Sequence, residues 1–208
     1  MRHWILSLLI VILPAVAPAS TLRTWEFRVL LDGREIGAHR FALSEVDGVQ
    51  ELSSEARFDV RFLFINAWRY RHMARERWQG DCLQAIESRT DTNGELEQVN
   101  GSRRGERLVV ERTGARDEHA GCVMTFAYWN PRILAAERLL NSQTGELLPV
   151  TFRLRGQETI SVRGRPRVAE RHHLSAPGLR IDLWYADGEW LALESDAPGG
   201  RRLRYELR

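Results

Sequence analysis

From Thr21 onward the chain alternates apolar and polar residues with a period of two, the spacing of strands that turn one face to a core and the other to water. Trp25, Phe27, Val29 and Leu31 share a face of a first strand that ends at Asp32-Gly33. A partner strand from Ile36 carries Phe41 and Leu43 to a turn at Asp47-Gly48. Next, Ala56, Phe58, Val60, Phe62 and Phe64 point one way while Arg57, Asp59 and Arg61 point the other. After Asn66 the pattern resumes, with Trp68, Tyr70, His72, Ala74 and Trp78 opposite Arg69, Arg71, Arg75 and Arg77.

The middle is more polar. Cys82 to Thr90 reads as a short strand, Gln98 to Arg107 as a polar Gly-containing stretch, Leu108 to Glu111 as another strand and Thr113 to Gly121 as an exposed loop. Thr125 to Asn141 breaks the pattern. Val123, Thr125, Ala127 and Trp129 alternate with Met124, Phe126 and Tyr128, so this segment carries large side chains on both faces, as a covered strand does. Asn130 can cap a helix and Pro131 suits its first position, having no N–H to leave unpaired. Ile133, Ala136, Leu139 and Leu140 then give an apolar stripe, which predicts one short helix near 131–140.

A second meander follows from Leu147 through Tyr205 and Leu207, with turns at Gly164, Asp187-Gly188 and Pro198-Gly199-Gly200. Strands of this number, with turns about every 8 to 12 residues, predict an all-β, mainly antiparallel fold: a curved meander, half-barrel or barrel of about ten to twelve strands.

Upstream of the alternation, Arg2 and His3 precede an apolar run from Trp4 to Val16, and Ala17-Pro18-Ala19 supplies small residues for cleavage between Ala19 and Ser20. The run is shorter than the roughly 20 apolar residues that span a bilayer. Residues 1–19 are therefore expected to be a signal peptide and 20–208 a single β-rich periplasmic domain, with no transmembrane segment in the mature chain. Removing the leader leaves 29 basic residues, all Arg, against 28 acidic ones. That balance gives no strong attraction to nucleic acid. In an oxidising compartment Cys82 and Cys122 are expected to form a disulfide, worth roughly 4 kcal/mol in the chain-entropy description.

Chemistry-bearing motifs are missing from the sequence. It holds no GxSxG elbow, no HExxH, no phosphate-binding loop and no dinucleotide fingerprint. His172 and His173 are adjacent, so on a strand they face opposite ways, and His39 and His72 read as core-edge residues. Neither a metal nor a cofactor is expected, and enzymatic activity has no support beyond Tyr128 and Asn130 as places where a histidine could be brought in. The Arg-rich strand face reads either as a solvated surface or as a contact for a partner through Arg69, Arg71 and Arg75.

The succession WEFRVLLDGREIGAHRF, FINAWRYRHMARERW with GDCL, TFAYWNP and LLNSQTG resembles a family of uncharacterised exported bacterial proteins known as a domain of unknown function. The resemblance runs to about Phe152. The ending, VRGRPRVAERHHL, IDLWYADGEWLALES and LRYEL, is similar to a broader group of periplasmic β-rich proteins of unassigned function. In plan, a meander with an aromatic face and a helix across it is also similar to periplasmic lipoprotein carriers and lipocalin-like barrels, an analogy of fold that fixes no function.

The expectation is a periplasmic protein that binds an apolar or amphipathic molecule such as a lipid, through Tyr128, Trp129, Asn130, Trp68 and Tyr70. The alternative is a structural or interaction protein that contacts an envelope protein through its Arg-rich face.

Overall fold

The computed structural model describes residues 21–62 and 65–208. The leader with its Ala19–Ser20 junction lies outside the described residues, as do Phe64 and the side chain of Phe62. The N-terminal meander comprises β1 (Thr21–Leu31), β2 (Arg34–Val46), β3 (Val49–Phe62), β4 (Ile65–Gln79), β5 (Cys82–Thr92), β6 (Glu95–Arg104), β7 (Arg107–Arg112) and β8 (Ala115–Ala120). The C-terminal meander comprises β11 (Thr151–Val162), β12 (Arg165–Ala176), β13 (Leu179–Ala186), β14 (Glu189–Ala197) and β15 (Arg201–Leu207). A short 3-10 helix, Pro131–Ala135, and the small pair β9 (Arg138–Leu140) and β10 (Leu147–Pro149) lie between them.

The two meanders form one antiparallel 13-stranded sheet because β15 pairs with β1, with Phe27 opposite Leu207 and Leu31 opposite Leu203. The free edges are β8 and β11, and no pairing joins them among the described residues. The result is a strongly curved, open half-barrel. Its curvature has local causes. The ladders slip by one residue between Val29 and Leu30, Val60 and Arg61, Arg77 and Trp78, Leu154 and Gly156, and Trp184 and Tyr185, and each such bulge bends its strand. Gly37 sits opposite the first of these. At φ 154° its missing Cβ would lie 1.9 Å from the Arg57 carbonyl oxygen, so only glycine lets β2 and β3 approach there. The Asp32-Gly33 turn has φ of 50° and 78°, the two left-handed residues that a tight hairpin matching strand twist requires.

The inner face carries the core. Phe27, Trp78, Leu83, Ile86, Leu183 and Trp190 are all but fully buried, and each contributes roughly 1.5–3 kcal/mol relative to exposure. Trp190 is its centre: its ring lies 4.3 Å from Phe27, 5.2 Å from Phe41 and 5.3 Å from Tyr128.

Two expectations change. The polar stretch from Gln98 and the loop read at Thr113 to Gly121 are β6 and β8, which brings the strands to fifteen among the described residues. β8 is an edge strand whose residues alternate between half-buried and exposed, so its stability comes from its ladder with β7 rather than from apolar burial. An edge strand with one face in water has no apolar stripe to betray it. The helix expected near 131–140 is also shorter. It stops at Ala136, whose backbone is extended, and Arg138–Leu140 becomes a strand. Leu140 N–H donates to Met124 O at 2.8 Å, and Leu139 and Leu140 are both fully buried although adjacent. An extended chain between two covering layers buries neighbouring leucines on opposite sides, which one helical face cannot do, and a ten-residue helix has little stability of its own.

Candidate functional site

The segment from Gly121 to Val150 connects the two free edges of the sheet and lies across its inner face as a strap. One end is held by the Cys82–Cys122 disulfide, with Leu83 N–H donating to Val123 O at 2.9 Å beside it. The far side is held by the Tyr185 hydroxyl, which donates to Tyr128 O at 2.7 Å. Between them, Thr125 Oγ1 donates to Glu76 Oε2 at 3.2 Å, and Ser88 Oγ donates to Ser142 O. The strap therefore touches strands of both meanders.

Beneath it lies a cavity of about 280 Å³. The sequence leaves this space open for a simple reason. Ser54 and Ala74 stand side by side across β3 and β4 in its lining, two small side chains on a face that also carries Phe58, Tyr70 and Trp78. Phe41, Tyr70, Trp190 and Tyr205 wall the cavity from the sheet, and Phe126, Tyr128 and Trp129 cover it from the strap. Tyr70 belongs to a ladder of stacked rings, 5.2 Å from Phe58 and 5.6 Å from Trp68.

Polar groups are set into this aromatic wall. His39 stacks on Phe41 at 4.0 Å, with Nε2 2.8 Å from Ser54 Oγ and Nδ1 3.3 Å from the Tyr205 hydroxyl. His72 Nδ1 lies 2.9 Å from Thr90 Oγ1. Glu76 accepts hydrogen bonds from Trp78 Nε1 at 3.0 Å and from Thr125. Burial dominates their titration. It pushes His39 well below the usual imidazole range, with a further push from His72, and lowers His72 to about 4. It raises Glu76 to about 7 against the two hydrogen bonds, and drives the phenols of Tyr70, Tyr128 and Tyr205 upward.

The sign for Glu76 follows from linkage. Its raised value means that the folded chain holds this proton more tightly than the unfolded chain, so the contribution is complete below about pH 4.5 and is lost as pH rises through about 7. The histidines act in the opposite sense. Their contribution is complete above about pH 6.5 and is lost as pH falls, toward about 4 for His72. Glu76→Gln keeps the acceptor for Trp78 and Thr125 but has no proton to lose. Its stability relative to the parent, measured by urea unfolding, is expected to improve by about 3 kcal/mol between pH 4.5 and pH 8. A difference that stays constant across that range would mean that the carboxylate is solvated.

The structure divides the residues expected from sequence. Tyr70, Tyr128 and Trp129 line the cavity. Trp68 supports Tyr70 from behind, stacked at 5.6 Å. Asn130 is a cap: its Oδ1 accepts from Arg132 N–H at 3.0 Å and its Nδ2 donates to Asp81 at 3.1 Å. On the outer face, Arg71 forms a two-pronged pair with Asp59 at 2.8 and 2.9 Å, and Arg69 lies 3.8 Å from Asp91. Arg75 is opposite Ser53 and Glu87 in the ladders. That face is thus interleaved with carboxylates. His173 turns to Asp182 at 2.8 Å while its neighbour His172 turns to Glu170 at 3.3 Å. No group of three His, Cys, Asp or Glu side chains is placed to hold a metal among the described residues.

Sequence reasoning missed His39, Glu76, Trp190 and Tyr205 as cavity residues and placed His72 at the core edge. The signal for Glu76 was present, because 70, 72, 74 and 76 share one face of a strand and a carboxylate on an aromatic face is an anomaly. His39 and Tyr205 meet only through the β1–β15 junction, which no local pattern announces.

A family model described as Domain of unknown function (DUF6134) matches residues 27–208, spanning both stretches for which separate resemblances are seen in the sequence. No curated protein matches the chain. Among solved structures, a beta-barrel-like protein of domain of unknown function DUF1849 from Brucella abortus is similar in fold, with a TM-score of 0.67 at 12% identity over 92% of this chain and 96% of that chain. Among the described residues, no helix is long and apolar enough to cross a membrane.

Proposed function

The chain belongs to the family described as Domain of unknown function (DUF6134), and from that premise we propose that it is an exported periplasmic protein that holds an apolar or amphipathic small molecule, such as a lipid, between its sheet and the strap. One observation carries this reading: a cavity of about 280 Å³ between two aromatic layers. Side chains that pack a core at interior density leave few voids larger than a water molecule. A space of this size, lined by aromatic and aliphatic side chains with polar groups set among them, is close to the lower end of the roughly 300–1,000 Å³ range of small-molecule sites. Export draws support from the basic start, the apolar run and the small residues before Ser20, and the disulfide suits an oxidising compartment.

In this reading Trp190, Phe41 and Tyr70 contact the body of the ligand and Tyr128 closes over it. The test is native mass spectrometry of the mature protein purified gently from the exporting cell, paired with analysis of its organic extract. The expected result is a population carrying a discrete added mass that recurs in the extract. Protein that is empty in both measurements would sink the proposal.

A further inference from the structure

The cavity is chemically uneven in a way that bears on its occupant. Of its lining residues, Arg180 is the one Arg, and its guanidinium is at the rim, 3.6 Å from Asp196 and largely exposed. The deep wall holds instead His39, Ser54, His72 and Tyr205, with Glu76 beneath the strap. His72 is 4% exposed and its Nδ1 pairs with Thr90 Oγ1 at 2.9 Å, while Nε2 has no protein partner among the described residues. The hydroxyls of Tyr70 and Tyr128 likewise have no protein partner among the described residues.

Resting on the binding reading above, we infer that the bound molecule carries an uncharged hydrogen-bonding head, of the hydroxyl type, on an apolar chain, with the head against His72 and the Ser54–His39–Tyr205 row. A hydroxyl can both donate and accept, which suits an imidazole of either tautomer and the neighbouring phenols. A carboxylate or phosphate placed there would be desolvated with no cation to pair with, the costly arrangement for a buried charge. The histidines do not supply that cation, since burial holds both neutral at pH 7. An ammonium head would find two carboxylates in the lining, Glu76, whose Oε2 already accepts from Trp78 and Thr125, and at the rim Asp196, which is paired with Arg180.

Three probes of equal chain length separate these cases: 1-decanol, decanoate and decylammonium, titrated into the exported, disulfide-bonded protein at pH 8 and read by tryptophan fluorescence. Decanol is expected to bind at least tenfold tighter than either ion, and His72→Leu is expected to weaken decanol about tenfold while leaving the weak binding of decanoate unchanged. The comparison of head groups in the parent protein stands even if that variant fails to fold. Decanoate binding as tightly as decanol would overturn the inference and leave the binding reading intact, and loss of that binding in Arg180→Gln would put the head at the rim. Tightest binding of decylammonium would overturn it as well and make Glu76 the partner. If none of the three binds, both the inference and the binding reading fall.

Discussion

Replacing Cys82 and Cys122 together with alanine is expected to destabilise the folded chain by about 4 kcal/mol, measured by urea unfolding as a lower midpoint with a steeper slope, because the unfolded chain without the cross-link exposes more surface. The bridge joins positions 40 residues apart, from the start of β5 to the start of the strap. Its chain-entropy effect is large because β5, β6, β7 and β8 all lie within the closed loop. The native state loses something too. Leu83 and Val123 are hydrogen-bonded beside the bridge at 2.9 Å, and without it that end of the strap rests on this bond and on the burial of Val123. A loss below about 1 kcal/mol would show that the constraint on the unfolded chain is offset in the folded state, against the chain-entropy account of the bridge.

Trp190→Ala is expected to cost about 3–5 kcal/mol, the range for removing a fully buried aromatic side chain. The indole contacts Phe27 of β1, Phe41 of β2 and Tyr128 of the strap, and its Nε1 donates to Ala192 O at 2.9 Å. Removal therefore loosens two other strands of the sheet and the strap at once and opens the wall of the cavity. The measurement is again urea unfolding. A cost under about 2 kcal/mol would mean that the rings around Trp190 collapse into the gap, and the cavity would then not be a rigid feature of the fold.

How far the molecule could be read from its residues depended on the range of the interaction concerned. Period-two alternation is local, so the inward set Trp25, Phe27 and Val29 and the Arg-bearing outer face of β4 were legible, and so was the Asp32-Gly33 turn. The disulfide was legible from compartment logic. The strand at β8 was hidden because an edge strand can be polar throughout, and the helix was overextended because Leu139 and Leu140 satisfy a helical stripe as readily as a strand covered on both sides. Of the site, the strap's Tyr128-Trp129 and the sheet's Tyr70 were recognisable as an aromatic excess. The polar half was not, since His39, Ser54 and Tyr205 come from β2, β3 and β15 and meet only when the C-terminal strand pairs with the N-terminal one. Burial, which makes these groups neutral, is a property of the closed strap and has no local signature.

On the proposed reading the space under the strap is a binding site and not a packing defect. Ala74→Trp tests it most directly. Ala74 is 4% exposed, lies on the cavity wall between Ser54 and Ser88 in the ladders, and faces the open volume, so an indole there would occupy the ligand's place. Overpacking of this kind costs about 1–3 kcal/mol, which a disulfide-bonded fold can absorb. The variant is expected to keep the parent's circular dichroism spectrum while the ligand-bearing population in native mass spectra disappears. A variant that folds as the parent does and still carries the ligand would contradict that reading.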